Sequence, residues 1–171
     1  MLALEENEFA PFYKPYIKAL LVNQKSLLDN LADTSSGSLS FLEKLPPEKF
    51  LFAYSEGKWT IKEIIQHLID TERIMAYRAL RFARKDRNEL SGFDENDYVL
   101  NSKGNQRDVG ELLEEMKLLR KTTILMFKNF DESDLLNIGV ANGSNMSVRA
   151  LGYIIAGHQS HHMNIIKERY L

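Results

Sequence analysis

Four histidines occur in the chain, His67, His158, His161 and His162, and three of them fall within five consecutive residues. Imidazole binds metals and moves protons near neutral pH, so their placement decides what chemistry is open. Around the cluster, Val148, Leu151, Ile155, His158, His162 and Ile165 alternate at spacings of three and four, which predicts the inward seam of a helix. His158 and His162 thus take positions where aliphatic residues are expected. They lie one turn apart on one face and can chelate a single ion. His161 is rotated off that seam and is expected at the rim or surface, where it can support a ligand from outside. A lone buried histidine ordinarily makes one hydrogen bond and does nothing more. Two stacked ones each need a buried partner, and a positive charge on either is costly to its neighbour. A metal satisfies both rings at once; on the pair alone both readings stand.

His67 sits among Ile64, Leu68, Thr71 and Ile74 and can also face the interior. If its helix adjoins that of His158 and His162, the three form a face that leaves coordination positions open for water or substrate, as catalytic sites do. The chain has no cysteine, so disulfides, a cysteine nucleophile and thiolate ligands are excluded. One divalent ion per chain held by nitrogen can be zinc, nickel, iron(II) or manganese. Glu72 falls on the apolar stripe between Leu68 and Met75. The favoured reading is an ion pair with a buried arginine of another helix; the alternative is a general base or a support for the metal ligands. Asp70 is expected to face solvent. Arg73, Arg78 and Arg81 read as a solvated helix face rather than a guide for an anionic substrate. Trp59, the single tryptophan, precedes a helix start and reads as its hydrophobic staple rather than as a surface for stacking substrate.

These residues need helices to carry them. Thr60-Ile61-Lys62-Glu63 has the form of a capping box, and Ile61, Ile64, Ile65, Leu68, Met75, Ala76, Ala79 and Phe82 then keep the helical period to about Lys85. Asp108, with Glu111 three residues on, opens a helix whose stripe is Val109, Leu112, Met116, Leu119, Thr123, Met126 and Phe130. A short turn over 131–136 follows, and 137–146, with Gly139, Asn142, Gly143 and Asn145, reads as a loop. The last helix starts near Ser147 and runs almost to Leu171. Nearer the N-terminus, Ser26 caps a run containing Leu27, Leu28 and Leu31. Thr34–Ser38 then has loop character, while Leu39, Leu42 and Leu45 resume the helical spacing before Pro46-Pro47. The expectation is one helix over about 24–45 rather than two. Residues 1–23 read as an extension, broken at Pro11 and Pro15 and pinned by Phe9, Phe12, Tyr16, Ile17, Leu20 and Leu21. The polar segment 86–107 is long enough to be functional or to close over a site. No strand shows convincing period-two alternation, so the expected fold is all-α, a four-helix bundle with long crossover loops.

Composition agrees. The 171 residues suit one domain with a proper core, 44% are hydrophobic and 27% charged, and the net charge is −2. With a pI near 6.1 there is no basic field to draw nucleic acid or an anionic membrane. The first residues are acidic where a secretory leader is basic, and no apolar run approaches the roughly 20 residues of a membrane span. A cytoplasmic protein is expected.

The runs Gly57–Glu63, His67–Arg73 and Tyr77–Arg81, then Gly92-Phe93-Asp94 with Asp97-Tyr98-Val99, then Ser147–Leu151 and Gly157–His162, together resemble the DinB-like family of metalloproteins. The resemblance covers nearly the whole chain from about residue 24. It implies a four-helix bundle, a three-histidine metal site at His67, His158 and His162, and a homodimer. It also implies one of two activities on a small-molecule substrate. One is an S-transferase joining a low-molecular-weight thiol, such as bacillithiol, mycothiol or glutathione, to an electrophile; the other is a metal-dependent hydrolase, for which Glu72 or His161 would be the proton acceptor. A non-enzymatic, metal-stabilised dimeric binding module is the third reading, since fold does not dictate function.

Overall fold

The computed structural model describes residues 4–171. After single 3-10 turns at Glu6–Glu8 and Pro11–Tyr13 come α1 (Lys14–Leu21), α2 (Leu27–Leu42) and a 3-10 segment at Pro47–Leu51. Then follow α3 (Ile61–Ala83), α4 (Glu95–Asn101), a 3-10 turn at Gly104–Gln106, α5 (Val109–Lys128) and α6 (Glu132–Leu136). A hairpin, β1 (Ile138–Ala141) and β2 (Ser144–Ser147), leads into α7 (Val148–Arg169). Helices α2, α3, α5 and α7 make a four-helix bundle. α7 and α5 each pack on both α2 and α3, so the consecutive helices α2 and α3 lie across the diagonal from one another. Among the described residues, no helix is long and apolar enough to cross a membrane.

The helix starts follow from their caps. Thr60 and Glu63 form the reciprocal box, with Glu63 N–H donating to Thr60 Oγ1 at 3.2 Å and Thr60 N–H to Glu63 Oε2 at 2.8 Å. Asp108 accepts from Glu111 N–H and Ser147 from Ala150 N–H. The N-terminal extension packs on α7 through Phe9, Ile17 and Leu20, whereas Phe12 is 70% exposed and Leu21 is also on the surface.

Three expectations need correction. First, the helix expected over 24–45 spans only Leu27–Leu42, though it does run unbroken through Thr34–Ser38. Thr34 Oγ1 donates back to Asn30 O at 2.8 Å, and Gln159 Nε2 and Arg120 Nη1, from other helices, donate to Thr34 O and Leu31 O. Tertiary contacts thus override local propensity. Second, 137–146 is a hairpin. Asn142 and Gly143 both take left-handed φ, 51° and 69°, as a two-residue type I′ turn requires. Third, 86–107 is not structureless. Leu90 bridges Ala141 of the hairpin, and Asp94 caps α4.

The core has two apolar clusters. One gathers α1, the end of α3 and the first half of α7; the other gathers the start of α3, α5 and the last turns of α7. Between them lies a polar layer of Thr71, Glu72, Arg120, His158 and Gln159. There Arg120, 2% exposed, donates to Glu72 Oε1 and Oε2 at 2.9 Å each, to Leu31 O, to Thr34 Oγ1 and to Gln159 Oε1. One guanidinium ties all four bundle helices together. It takes the central buried position of α5, so the buried line runs Leu112, Met116, Arg120, Thr123, Phe127 rather than through Leu119.

Candidate metal centre

His67 projects from α3, and His158 and His162 from α7, across the contact between these helices. His158 Nε2 lies 3.1 Å from His67 Nε2 and 3.0 Å from His162 Nε2. The candidate ligand atoms of all three lie within 4.8 Å of one another. A ring nitrogen offers one proton or one lone pair, yet His158 Nε2 meets two other ring nitrogens. At most one of these contacts can be a hydrogen bond between neutral rings; the other sets like groups against each other, and a cation between the rings relieves it. Nitrogens about 2.1 Å from a tetrahedral ion stand roughly 3.4 Å apart, close to the separations seen.

The rings are held in the form that ligates. Burial holds His67 down at about 4. Burial, then the neighbouring His67 and His161, holds His162 down at about 3. His158 is pushed well below the usual histidine range by burial and then by the other three histidines. On the far side of the rings, Thr71 Oγ1 lies 3.5 Å from His67 Nδ1, the outer limit of a hydrogen bond, while the buried His162 Nδ1 has no partner among the described residues. The donor set, its neutrality and its convergence fit a divalent ion.

A cavity of about 340 Å³ opens over the three rings. Trp59 forms one wall, its ring 4.8 Å from that of His67 and stacked over His162 at 6.4 Å. Opposite, Tyr16 packs 5.8 Å from His158 and 5.0 Å from His161. Gly157 permits this close approach of α1, since a Cβ there would lie 2.5 Å from Tyr16 O. Gly92, Phe93 and Glu95 bring the 86–107 segment to the mouth.

The remaining candidates fall as follows. Glu72 is in the buried ion pair with Arg120, both carboxylate oxygens engaged. His161 is exposed and lines the cavity rim, 5.4 Å from the His162 ring. Asp70 is half-buried, accepting from Gln66 Nε2, and burial raises its pKa. Arg73 pairs with Glu115 and Arg81 with Asp86, on the surface of α3. Arg78 departs from the solvated-face reading, being 3% exposed and lining the cavity. Trp59, expected as a helix staple, Tyr16, expected to pin the N-terminal extension, and Arg78 all line the cavity. His67, Thr71, Met75 and Arg78, spaced four, four and three, trace one face of α3 and signal only the last of them.

Residues 30–166 match the DinB superfamily, and the chain belongs to that family. Among solved structures, YfiT from Bacillus subtilis, described as a probable metal-dependent hydrolase with an unusual four-helix bundle topology, is similar with a TM-score of 0.71. The two share 13% identity over 98% of this chain and 90% of that one, a likeness of fold. No curated protein matches the sequence.

Proposed function

We propose that this protein is a metal-dependent S-transferase that joins a small thiol to an electrophile, with His67, His158 and His162 holding one divalent ion. The convergence of three neutral Nε2 atoms at the floor of an open cavity carries the reading. A divalent ion held there would supply Lewis-acid chemistry, lowering the pKa of a bound water or thiol. The protein's own part is to keep the imidazoles unprotonated and to fix their direction by packing. Trp59, Tyr13, Tyr16 and Phe93 give the cavity aromatic walls that suit an apolar electrophile and orient it toward the floor.

Glu72 favours thiol over water. Hydrolysis needs a proton acceptor, and the Glu72 carboxylate is committed to Arg120. A thiol, with an ordinary pKa of about 8.5, gives its proton to solvent far more readily than water does, and its attack calls for no further base. The second reading, a metal-dependent hydrolase, is favoured by His161 at the rim and by the description of YfiT. An open cavity speaks for either enzyme over a sealed binding module.

The test is to load the protein with each candidate metal and supply glutathione or cysteine with 1-chloro-2,4-dinitrobenzene. A sulfur–carbon bond then forms as chloride leaves with its electron pair and the thiol proton passes to solvent. Metal-dependent conjugation, absent in His158→Ala, is expected. Cleavage of a p-nitrophenyl ester without any thiol, together with no conjugation, would move the assignment to hydrolase.

A further inference from the structure

Among the described residues lining the cavity, Arg78 is the one that carries a buried positive charge. It is 3% exposed. Of its five N–H bonds, one from Nη2 reaches Ser91 O at 2.8 Å and one from Nη1 reaches Met75 Sδ at 3.6 Å. No carboxylate among the described residues lies within ion-pairing distance of it. The other buried arginine, Arg120, pairs with Glu72, and the half-buried Arg149 pairs with Glu8. Taking a guanidinium out of water without an opposite charge is costly. The bond to Ser91 O braces the 86–94 segment but leaves that charge uncompensated. The one acid lining the cavity among the described residues, Glu95, is exposed.

Arg78 stands on the same face of α3 as His67, about three turns further along, or about 16 Å of helix axis. A group bound there is a substituent of the substrate, held away from the reacting atom. Arginine presents paired N–H donors that match carboxylate or phosphate oxygens. We propose that Arg78 is the anion-receiving residue of this cavity. Its substrate is an aromatic or apolar molecule bearing a carboxylate or phosphate at the end remote from the histidines. The proposal rests on this cavity being the reaction site.

Trp59 lines the same cavity and is the only tryptophan, so its emission reports occupancy. Metal-free protein is titrated with benzoate, phenyl phosphate and the neutral benzamide; working without metal prevents the anion from simply ligating an ion. Saturable binding of benzoate or phenyl phosphate at least tenfold tighter than benzamide is expected, and the tighter of the two tells carboxylate from phosphate. Arg78→Gln should raise that Kd tenfold or more, and Arg78→Lys by less. Benzamide binding as well as the anions, an unchanged Kd in Arg78→Gln, or no saturation by either anion would overturn the proposal. The comparison of anion with benzamide in the wild type needs no variant to fold. Anion binding that depends on Arg78 in a protein unable to hold metal supports the proposal and counts only against the metal reading.

Discussion

Both carboxylate oxygens of Glu72 accept from Arg120 at 2.9 Å, in a pair 5% and 2% exposed at the level of His158. Breaking such a pair strands a buried charge, which costs about 3–5 kcal/mol. Glu72→Ala and Arg120→Ala should each lose that much in urea unfolding, and the double variant should lose well short of the sum. Additive losses would show that the two side chains act independently.

Gly157 sets the distance between α1 and α7. In Gly157→Ala the new methyl would meet Tyr16 O at 2.5 Å and must push the backbone of α1 away. A destabilisation of about 1–3 kcal/mol is expected, with Tyr16 withdrawn from His158 and weaker ligand binding in the cavity. Wild-type stability and affinity in this variant would refute the close-approach role.

The metal-free protein should lose stability in mild acid. Above about pH 6.5 folded and unfolded chains both hold neutral imidazoles. Between pH 6.5 and about 4 the unfolded chain takes up protons that His67, held at about 4, and His162, held at about 3, refuse in the fold. Unfolding then binds protons, so stability falls as pH drops. His67 alone accounts for about 3 kcal/mol across that window. Urea unfolding of apo protein at pH 7 and pH 5 measures the slope, and His67→Phe should flatten it; a pH-independent stability would contradict the buried, neutral state of these rings.

Much of the bundle was legible because its signals are local. The Thr60–Glu63 box, the Asp108 and Ser147 caps and the three-and-four spacing of Val148 to Ile165 are each written within a few residues. The juxtaposition of His67 with His158 and His162 could be anticipated only in part: the pair takes aliphatic positions on one seam and His67 can face the interior, but that their helices adjoin came from the family resemblance rather than from any local pattern. The hairpin was missed although Asn142-Gly143 is a strong turn signal, since its four-residue strands are too short to show alternation. Continuity of α2 through Thr34–Ser38 depends on Arg120 and Gln159, which no local pattern reveals. The cavity walls were illegible for a similar reason: Tyr16 and Phe93 reach the histidines only through the packing of α1 and the path of the 86–107 segment.

The central claim is the metal site, and elemental analysis of untagged protein tests it most directly, beside His67→Ala and His158→Ala. The account predicts about one divalent ion per wild-type chain and none in either variant. No metal above background in the wild type, even after incubation with zinc, nickel, manganese and anaerobic iron(II), would contradict it and leave the three histidines as core residues.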